Sequence, residues 1–352
     1  MNIRKSLLFL IFFFSILSFK TDSCTAQLLG NWYERFQMEG FGRSQAISFT
    51  IGSRVFLGLG YGKTLTENTF LRDLWEFDSK KNYWTQRTDL PDSAINPVTQ
   101  KWEKISNHID GVAFATNNKG YLATGCWYPG ANPKETDFLE YDPTLNTWKM
   151  LADFPGDPRN GALAFTINNI GYVGFGWGDR IYKDMYAFNP ATNSWTITNA
   201  SNSPPKRKDG VAFVINGIAY VCGGTDAYGA FLNDMWAFDP ASNTWTEKSK
   251  ITGDLKRIQA VAFAANGKGY IATGKDTTKT LTTVWEYDPG TDVWTMKSGF
   301  EAGKRYDAVA FVVNDTGYVA SGYNPDISAP NNPYCDDTWG FVPNVANDPT
   351  TR

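Results

Sequence analysis

The sequence is almost without histidine, and that scarcity excludes several kinds of metal centre. Its 352 residues contain one histidine, His108, so one chain cannot assemble a three-histidine zinc site or a two-histidine copper site. Lysine plus arginine number 33 against 36 for aspartate plus glutamate, which gives a formal net charge of −3. This near balance gives no electrostatic support for binding nucleic acid. We therefore expect no metal, no other cofactor and no nucleic-acid partner.

Long hydrophobic runs are also scarce, and the one at the N-terminus is too short to span a bilayer. Two basic residues precede an apolar run over residues 6–19. As a helix this run would measure about 21 Å, against a hydrocarbon core of about 30 Å. The pattern predicts a signal peptide over residues 1–26, cleaved after Ala26, and an exported protein without a transmembrane span. Lipidation at Cys24, which would make a surface lipoprotein, and an uncleaved N-terminal anchor are the alternatives.

Cysteine is too rare for a disulfide framework. After cleavage three would remain, Cys126, Cys222 and Cys335, which is an odd number. The repeats described next place each of them in a different structural unit. We therefore expect free thiols that are buried and unreactive, as most unpaired cysteines in folded domains are.

What the chain has in abundance is internal repetition. An apolar segment that ends in a marker phenylalanine recurs six times, at Phe49, Phe114, Phe165, Phe213, Phe263 and Phe311. A marker tryptophan recurs at Trp84, Trp148, Trp195, Trp245 and Trp294. Each unit contains four short extended runs and no sustained helical period. Units of about 50 residues, each with four strands, predict a propeller.

These repeats resemble the kelch-repeat β-propeller family over residues 30 to about 343. The resemblance implies an all-β, six-bladed propeller with four antiparallel strands per blade, in one domain over residues 27–343. We place the blades at about 43–87, 108–151, 159–198, 207–248, 257–297 and 305–343. Residues 344–352 would form a C-terminal tail.

The sixth repeat lacks its own tryptophan strand, and the N-terminus carries a matching one. Trp32 stands eleven residues before Arg43, which is also the spacing between Trp148 and Arg159. We therefore predict that a strand around Trp32, within residues 28–36, joins the last blade and closes the ring. Closure of this kind removes the exposed sheet edge that an open array would leave.

Stacking the repeats reveals a polar column at the entry to the innermost strand. Six residues before each marker phenylalanine stand Arg43, His108, Arg159, Arg207, Arg257 and Arg305. Two residues later, three units carry Asp110, Asp209 and Asp307. In a strand, side chains two residues apart point the same way, so these residues would form a charged rim to the central channel that binds an anionic or polyol ligand. The reading that we favour over this rim is that the basic residues are scaffold that caps loop carbonyls or pairs with acids between blades.

Unequal loop lengths point to one side of one face. The connection from Trp84 to His108 is long, and so are the loops after the second strand in blades six, one and two. In the kelch family these two loop types share a face, which would gather a set of aromatic residues there: Tyr61, Trp102, Trp127, Tyr128, Trp177, Tyr323 and Tyr334. Aromatic rings beside amides and acids suit a sugar or a peptide. The alternative is that these rings cover the backbone of their own loops.

The family resemblance leaves three functions open. The one we favour is a monomeric, non-catalytic binding module for carbohydrate or protein. Kelch-type galactose oxidase is a copper enzyme whose centre takes two histidines and two tyrosines, and the single histidine excludes that activity here. Kelch-type sialic acid mutarotases, or epimerases, are exported and need only positioned acid–base groups, so this sugar-modifying activity is the alternative. The third reading is a structural repeat domain in a surface assembly.

Overall fold

The computed structural model describes residues 27–126, 135–250, 256–328, 330–348 and 350. The predicted signal peptide, Cys24, Trp127 and Tyr128 lie outside these residues. Within them the secondary structure is β-strand, and no helix has the length and apolar character needed to cross a membrane. Among the same residues the buried Cys126 and Cys222 and the half-buried Cys335 form no disulfide bond.

The strands follow one another in a regular order along the chain. The first half contains β1 (Leu29–Arg35), β2 (Arg43–Ser44), β3 (Ile47–Ile51), β4 (Arg54–Gly58), β5 (Tyr61–Lys63), β6 (Asn68–Phe70), β7 (Leu74–Asp78), β8 (Tyr83–Arg87), β9 (Ser93–Ile95), β10 (Trp102–Lys104), β11 (Val112–Thr116), β12 (Lys119–Ala123), β13 (Phe138–Asp142), β14 (Thr147–Met150), β15 (Leu163–Ile167) and β16 (Ile170–Gly174). The second half contains β17 (Met185–Asn189), β18 (Ser194–Ile197), β19 (Val211–Ile215), β20 (Ile218–Cys222), β21 (Met235–Asp239), β22 (Thr244–Lys248), β23 (Val261–Ala265), β24 (Lys268–Ala272), β25 (Val284–Asp288), β26 (Val293–Lys297), β27 (Val309–Val313), β28 (Thr316–Ala320) and β29 (Thr338–Ala346).

Six four-stranded antiparallel sheets form the blades of a propeller, as predicted. From the innermost strand outwards they are β3-β4-β7-β8, β11-β12-β13-β14, β15-β16-β17-β18, β19-β20-β21-β22, β23-β24-β25-β26 and β27-β28-β29-β1. The innermost strands lie side by side in a ring that returns from β27 to β3. Two small sheets, β2-β5-β6 and the hairpin β9-β10, belong to the loops of blade one and to its connection with blade two.

The N-terminal strand closes the ring, which confirms the prediction for Trp32. Strand β1 pairs antiparallel with β29 and sets Trp32 opposite Phe341, just as Phe238 lies opposite Trp245 within blade four. The last blade is therefore built from both ends of the described chain. Strand β29 continues to Ala346, so it reaches into the segment that the sequence assigned to the tail.

The marker phenylalanines recur because they fill the boundary between neighbouring blades. Phe213 on β19 is buried, and its ring occupies the space that a Cβ at Gly269 of the next blade would need. Phe114 stands in the same relation to Gly171. A close-packed interior leaves no room for a side chain at such a contact. In four of the six blade boundaries the repeat thus encodes a phenylalanine on one blade and a glycine on the next, and the other two boundaries have Ala219 and Val55 at the glycine position.

Candidate functional site

The arginines of the polar column lie inside the blades, not at the channel. Arg207 is fully buried and makes a two-point ion pair with Asp234 of its own blade, at 2.9 and 2.7 Å. Its Nη1 also donates to the carbonyl of Gly223, 3.1 Å away. Three further pairs repeat this arrangement: Arg43–Asp73, Arg159–Asp184 and Arg305–Asp337. The predicted basic rim is therefore wrong, and the acids that pair with these arginines lie within each blade rather than between blades.

Two blades depart from the arginine–aspartate pair. Arg257 donates to the Thr283 hydroxyl at 2.7 Å, because Thr283 stands where the other blades carry the aspartate. His108 is fully buried between the carbonyl of Thr124 at 2.6 Å and Asp137 at 3.1 Å. Burial opposes a charge on His108, but the Asp137 carboxylate outweighs it and the pKa of the imidazole is raised. Both ring nitrogens are engaged, so His108 serves the scaffold.

The aspartate column points elsewhere because the segment before each innermost strand is not extended. Strand β19 begins at Val211, and Asp209 has a φ of 56°, in the left-handed region. The alternation of side chains that holds along a strand does not apply across such a residue. Arg207 therefore turns into the blade while Asp209 faces the channel. The prediction that both columns point the same way is wrong.

Six residues with positive φ, one from each blade, surround one end of the channel, and we call them the mouth ring: Gln45, Asp110, Gly161, Asp209, Gln259 and Asp307. They line a cavity of about 120 Å³ that leads into a channel of about 240 Å³ between the innermost strands. Backbone hydrogen bonds pass from blade to blade around the ring: Gln45 N to Asp307 O (3.0 Å), Gly161 N to Asp110 O (3.1 Å), Asp209 N to Gly161 O (3.0 Å), Gln259 N to Asp209 O (3.2 Å) and Asp307 N to Gln259 O (3.1 Å). The backbone thus holds the side chains of the ring in place.

Gly161 is the one member of the mouth ring without a side chain. Its φ is 58°, and a Cβ there would collide with the Oδ1 atom of Asp209. The carboxylate of the next blade therefore takes up the space that a side chain at position 161 would fill. This leaves three carboxyl groups and two amides around the cavity.

The three carboxyl groups of the ring bind protons more tightly than ordinary aspartates. Burial, followed by the charge of Asp209, raises the pKa of Asp110 to about 7. Burial and the charges of Asp110 and Asp209 hold the pKa of Asp307 well above its usual value. Burial also raises the pKa of Asp209, although Lys208 opposes this. Near neutral pH the ring therefore offers both hydrogen-bond donors and acceptors to a ligand.

Replacing Asp110 by asparagine should stabilise the protein at high pH and change little at low pH. The folded protein binds the Asp110 proton more tightly than the unfolded chain, whose pKa would be near 3.8. Stability is then fully present below about pH 4 and is lost as the pH rises through about 7. We expect the melting temperature of Asp110→Asn to exceed that of the wild type at about pH 8 and to match it at about pH 4. A difference that is constant across this range would contradict the raised pKa.

A row of tyrosines begins beside the mouth ring in blade six. Tyr306 and Tyr323 pair across the mouth end of blade six, with ring centroids 5.3 Å apart. Tyr334 packs on Tyr323 at 5.3 Å and on Tyr61 of blade one at 5.9 Å. All four are half-buried. The structure therefore brings the predicted Tyr61, Tyr323 and Tyr334 together, and it adds Tyr306; we call these four residues the tyrosine wall.

Two lysines stand at the mouth in blades four and five. The Lys208 ammonium lies 3.3 Å from the Asp209 carboxylate and 5.4 Å from the centre of the Trp177 ring. The Lys275 ammonium lies 4.4 Å from the centre of the Tyr306 ring. Sequence reasoning missed both lysines and Tyr306. Their positions in the repeat could have identified the lysines, because Lys208 directly follows Arg207 of the arginine column and Lys275 directly follows the glycine after the second strand.

The remaining predicted aromatic residues are placed apart from the tyrosine wall. Trp177 stands at the mouth in blade three, where it pairs with Asn160. Trp102 is on the hairpin β9-β10, and its side chain is largely exposed. Trp127 and Tyr128 lie outside the described residues. In the part of the chain that the structure describes, no group of three histidine, cysteine or acidic residues is arranged to hold a metal ion.

Comparison with known proteins identifies the repeats. Residues 195–345 match the family model of the KLHDC2/KLHL20/DRC7 Kelch-repeats domain. Among solved structures, the one titled "Structure of YjhT" superposes with a TM-score of 0.67 at 15% sequence identity, and it covers 86% of this chain and 95% of that one. At that identity the likeness concerns the fold alone.

The similar curated proteins carry the name N-acetylneuraminate epimerase. The relative from Escherichia coli O157:H7 is 32% identical over 126 residues, which is 33% of this chain and 32% of the relative. The relative from Escherichia coli K12 is 39% identical over 85 residues, or 22% of this chain and 23% of the relative. The matched part thus spans no more than about a third of the length of these relatives.

Proposed function

We propose that this chain, a kelch-repeat β-propeller, is an exported protein that binds a carbohydrate at the channel mouth. The observation that carries the proposal is the pairing of two surfaces in one cup. The floor is the mouth ring of carboxyl and amide groups. The wall is a row of four tyrosines in contact, which begins at Tyr306, the residue that precedes Asp307 of the ring. Sugars present apolar C–H faces and hydroxyl edges, so a cup with aromatic and hydrogen-bonding sides is complementary to them.

The rigidity of the cup supports binding without an adjustment of the backbone. Hydrogen bonds between blades hold the floor, and Tyr323 pairs on both sides, with Tyr306 and with Tyr334. Groups that are already ordered lose little conformational freedom when a ligand arrives. A tyrosine also has few rotatable bonds to immobilise, which is one reason why it is frequent at binding hot spots.

Truncating Tyr323 should weaken binding without unfolding the protein. A glycan array screened with the mature chain identifies the ligand, and titration calorimetry then compares the variants. Removal of a hot-spot aromatic costs about 2 kcal/mol or more, which corresponds to about a thirtyfold loss of affinity for Tyr323→Ala. Tyr83→Ala, on the outermost strand of blade one, is the matched control and should bind as the wild type does. If wild type and Tyr323→Ala bind the glycan with equal affinity, the tyrosine wall is not the binding site. If the protein binds another protein and no glycan, carbohydrate is the wrong ligand class.

A second candidate function is the interconversion of sugar anomers at the same cup. It is supported by the name of the curated relatives and by the protonated and ionised carboxyl groups of the mouth ring. In this reaction a carboxylate takes the proton of the anomeric hydroxyl, the ring C–O bond breaks, and a carboxylic acid protonates the ring oxygen. Closure on the other face reverses these steps and returns both protons. Lys208 and Lys275 would attract the carboxylate of an acidic sugar.

The two candidates differ in one measurable rate. Nuclear magnetic resonance can follow the approach of N-acetylneuraminate to its anomeric equilibrium with and without the protein. Catalysis requires an acceleration by the wild type that Asp110→Asn reduces, because that variant removes a proton donor with a pKa near the working pH. A binding module leaves the spontaneous rate unchanged. If Asp110→Asn accelerates the reaction as much as the wild type does, Asp110 of the mouth ring takes no part in the proton transfer.

A further inference from the structure

The hairpin β9-β10 presents an apolar face to solvent. Trp102 and Ile95 are direct cross-strand partners, so their side chains share one face of the hairpin. They are 70% and 50% exposed, and Val98 in the turn is 71% exposed. Most large apolar side chains of the described residues are packed in the blades, so three neighbours this exposed are unusual. Grouped apolar exposure generally marks an interaction surface.

The hairpin is held rigidly, so this exposure is built into the fold. The Glu103 carboxylate accepts hydrogen bonds from Asn96 Nδ2 at 2.8 Å and from Thr99 Oγ1 at 2.6 Å. Asn96 Oδ1 accepts from the backbone N–H of Val98 at 2.8 Å, which fixes the turn. At the base of the hairpin, Arg72 donates to the carbonyls of Leu90, Pro91 and Ser106.

The charges on the hairpin are asymmetric. Lys101 and Lys104 are exposed, and Lys104 stands two residues after Trp102, on the same face of the strand. The acid between them, Glu103, is tied to Asn96 and Thr99. On the inner face, Ala94 packs against the core between blades one and two. The outer surface of the hairpin is thus apolar and cationic.

We propose that the hairpin β9-β10 binds a lipid bilayer that carries anionic headgroups. Trp102, Ile95 and Val98 would enter the boundary between headgroups and acyl chains, while Lys101 and Lys104 contact the phosphates. Tryptophan prefers this boundary because its ring is apolar and its N–H is polar. Lysines bury their aliphatic stems and keep their charge in water, which suits them to flank such a contact.

The size and chemistry of the patch favour a bilayer over other occupants. Three side chains expose on the order of a few hundred Å², which is less than the about 800 Å² that each partner buries in a stable protein interface. A bilayer accepts small apolar tips without a matching surface. Ile95 and Val98 cannot donate or accept hydrogen bonds, so the surroundings of Trp102 do not suit sugar hydroxyls.

The test is co-sedimentation of the mature chain with vesicles. We expect binding to phosphatidylcholine vesicles that contain phosphatidylglycerol, and much weaker binding to phosphatidylcholine alone. Val98→Asp should lower the partition coefficient about tenfold or more, because it places a charge where the apolar tip inserts. Exchanging Lys101 and Lys104 for glutamine should lower it about fivefold per residue on anionic vesicles. Tyr228→Asp, a change at a 95% exposed side chain in blade four, is the matched control and should bind as the wild type does.

Two results with vesicles would overturn the proposal. One is a wild-type protein that does not sediment with anionic vesicles; the other is a Val98→Asp variant that binds them as well as the wild type. Because Val98 is exposed, the melting temperature of Val98→Asp should equal that of the wild type, which separates lost binding from lost folding. Glycan binding by Val98→Asp should also be intact. Its loss would mean that the hairpin belongs to the sugar site and would also refute a separate lipid surface.

Discussion

Replacing Trp32 by alanine should lower the free energy of unfolding by about 3–5 kcal/mol, the usual cost of truncating a buried tryptophan. Trp32 is fully buried although it lies in the first described strand. Its ring packs on Phe300 at 4.7 Å and on Phe341 at 4.6 Å. Phe341 comes from the other end of the described chain, so the loss also opens the sheet that closes the ring. Urea denaturation followed by tryptophan fluorescence measures the effect.

Two other tryptophans of the same column provide controls for this experiment. Trp84 is as deeply buried in blade one as Trp32 is in blade six, so Trp84→Ala should cost a similar amount. Trp294 in blade five is only half-buried, so Trp294→Ala should cost less. A Trp32→Ala variant that unfolds at the same urea concentration as the wild type would show that the N-terminal strand is dispensable for the closed ring.

Replacing Arg207 by methionine should also destabilise the protein by about 3–5 kcal/mol, because Asp234 would be left buried without its counter-charge. Both Nη atoms of the guanidinium group donate to that carboxylate, and Arg207 is fully buried. Most of the expected loss is the penalty for the unpaired acid rather than the worth of the ion pair. Denaturation of the purified variant gives the free energy directly.

The fifth blade supplies the matched control for this substitution. Arg257 occupies the equivalent position, where Thr283 stands in place of the aspartate, so Arg257→Met leaves a hydroxyl at the position that Asp234 has in blade four. We expect it to cost clearly less than Arg207→Met. Adding Asp234→Leu to Arg207→Met should recover much of the loss, since both charges are then removed. Equal costs for the two arginines would show that the buried acid is not the source of the instability.

The fold was predictable because its signals recur at fixed spacing. A phenylalanine such as Phe213 packs against the next blade, and in four of the six boundaries that contact leaves a phenylalanine and a glycine at matching positions in the sequence. Ring closure was predictable for the same reason, since Trp32 carries the spacing of the column to which it belongs. Because the marker phenylalanine recurs in all six blades, the sequence contains six copies of this signal.

The candidate site was predictable only in part, because its geometry depends on single backbone conformations. The left-handed φ of Asp209 turns its side chain away from that of Arg207. An aspartate can adopt either a left-handed or an extended backbone conformation, so the residue type alone does not predict which one occurs. The tyrosine wall joins residues from blades six and one whose contact is set by irregular loops. Lys208 and Lys275 were overlooked because the residues at these positions differ from blade to blade, so only their place beside the repeated Arg207 and Gly274 marked them.

A crystal structure of the mature protein soaked with the glycan selected by the array tests the central claim most directly. We predict that the sugar lies in the cup, with one face against the tyrosine wall and hydroxyl groups within hydrogen-bond distance of Asp110, Asp209 or Asp307. The same soak with Tyr323→Ala should leave the cup without the sugar. A sugar bound at the opposite end of the channel or on the outer strands, with the cup holding only water, would contradict the account.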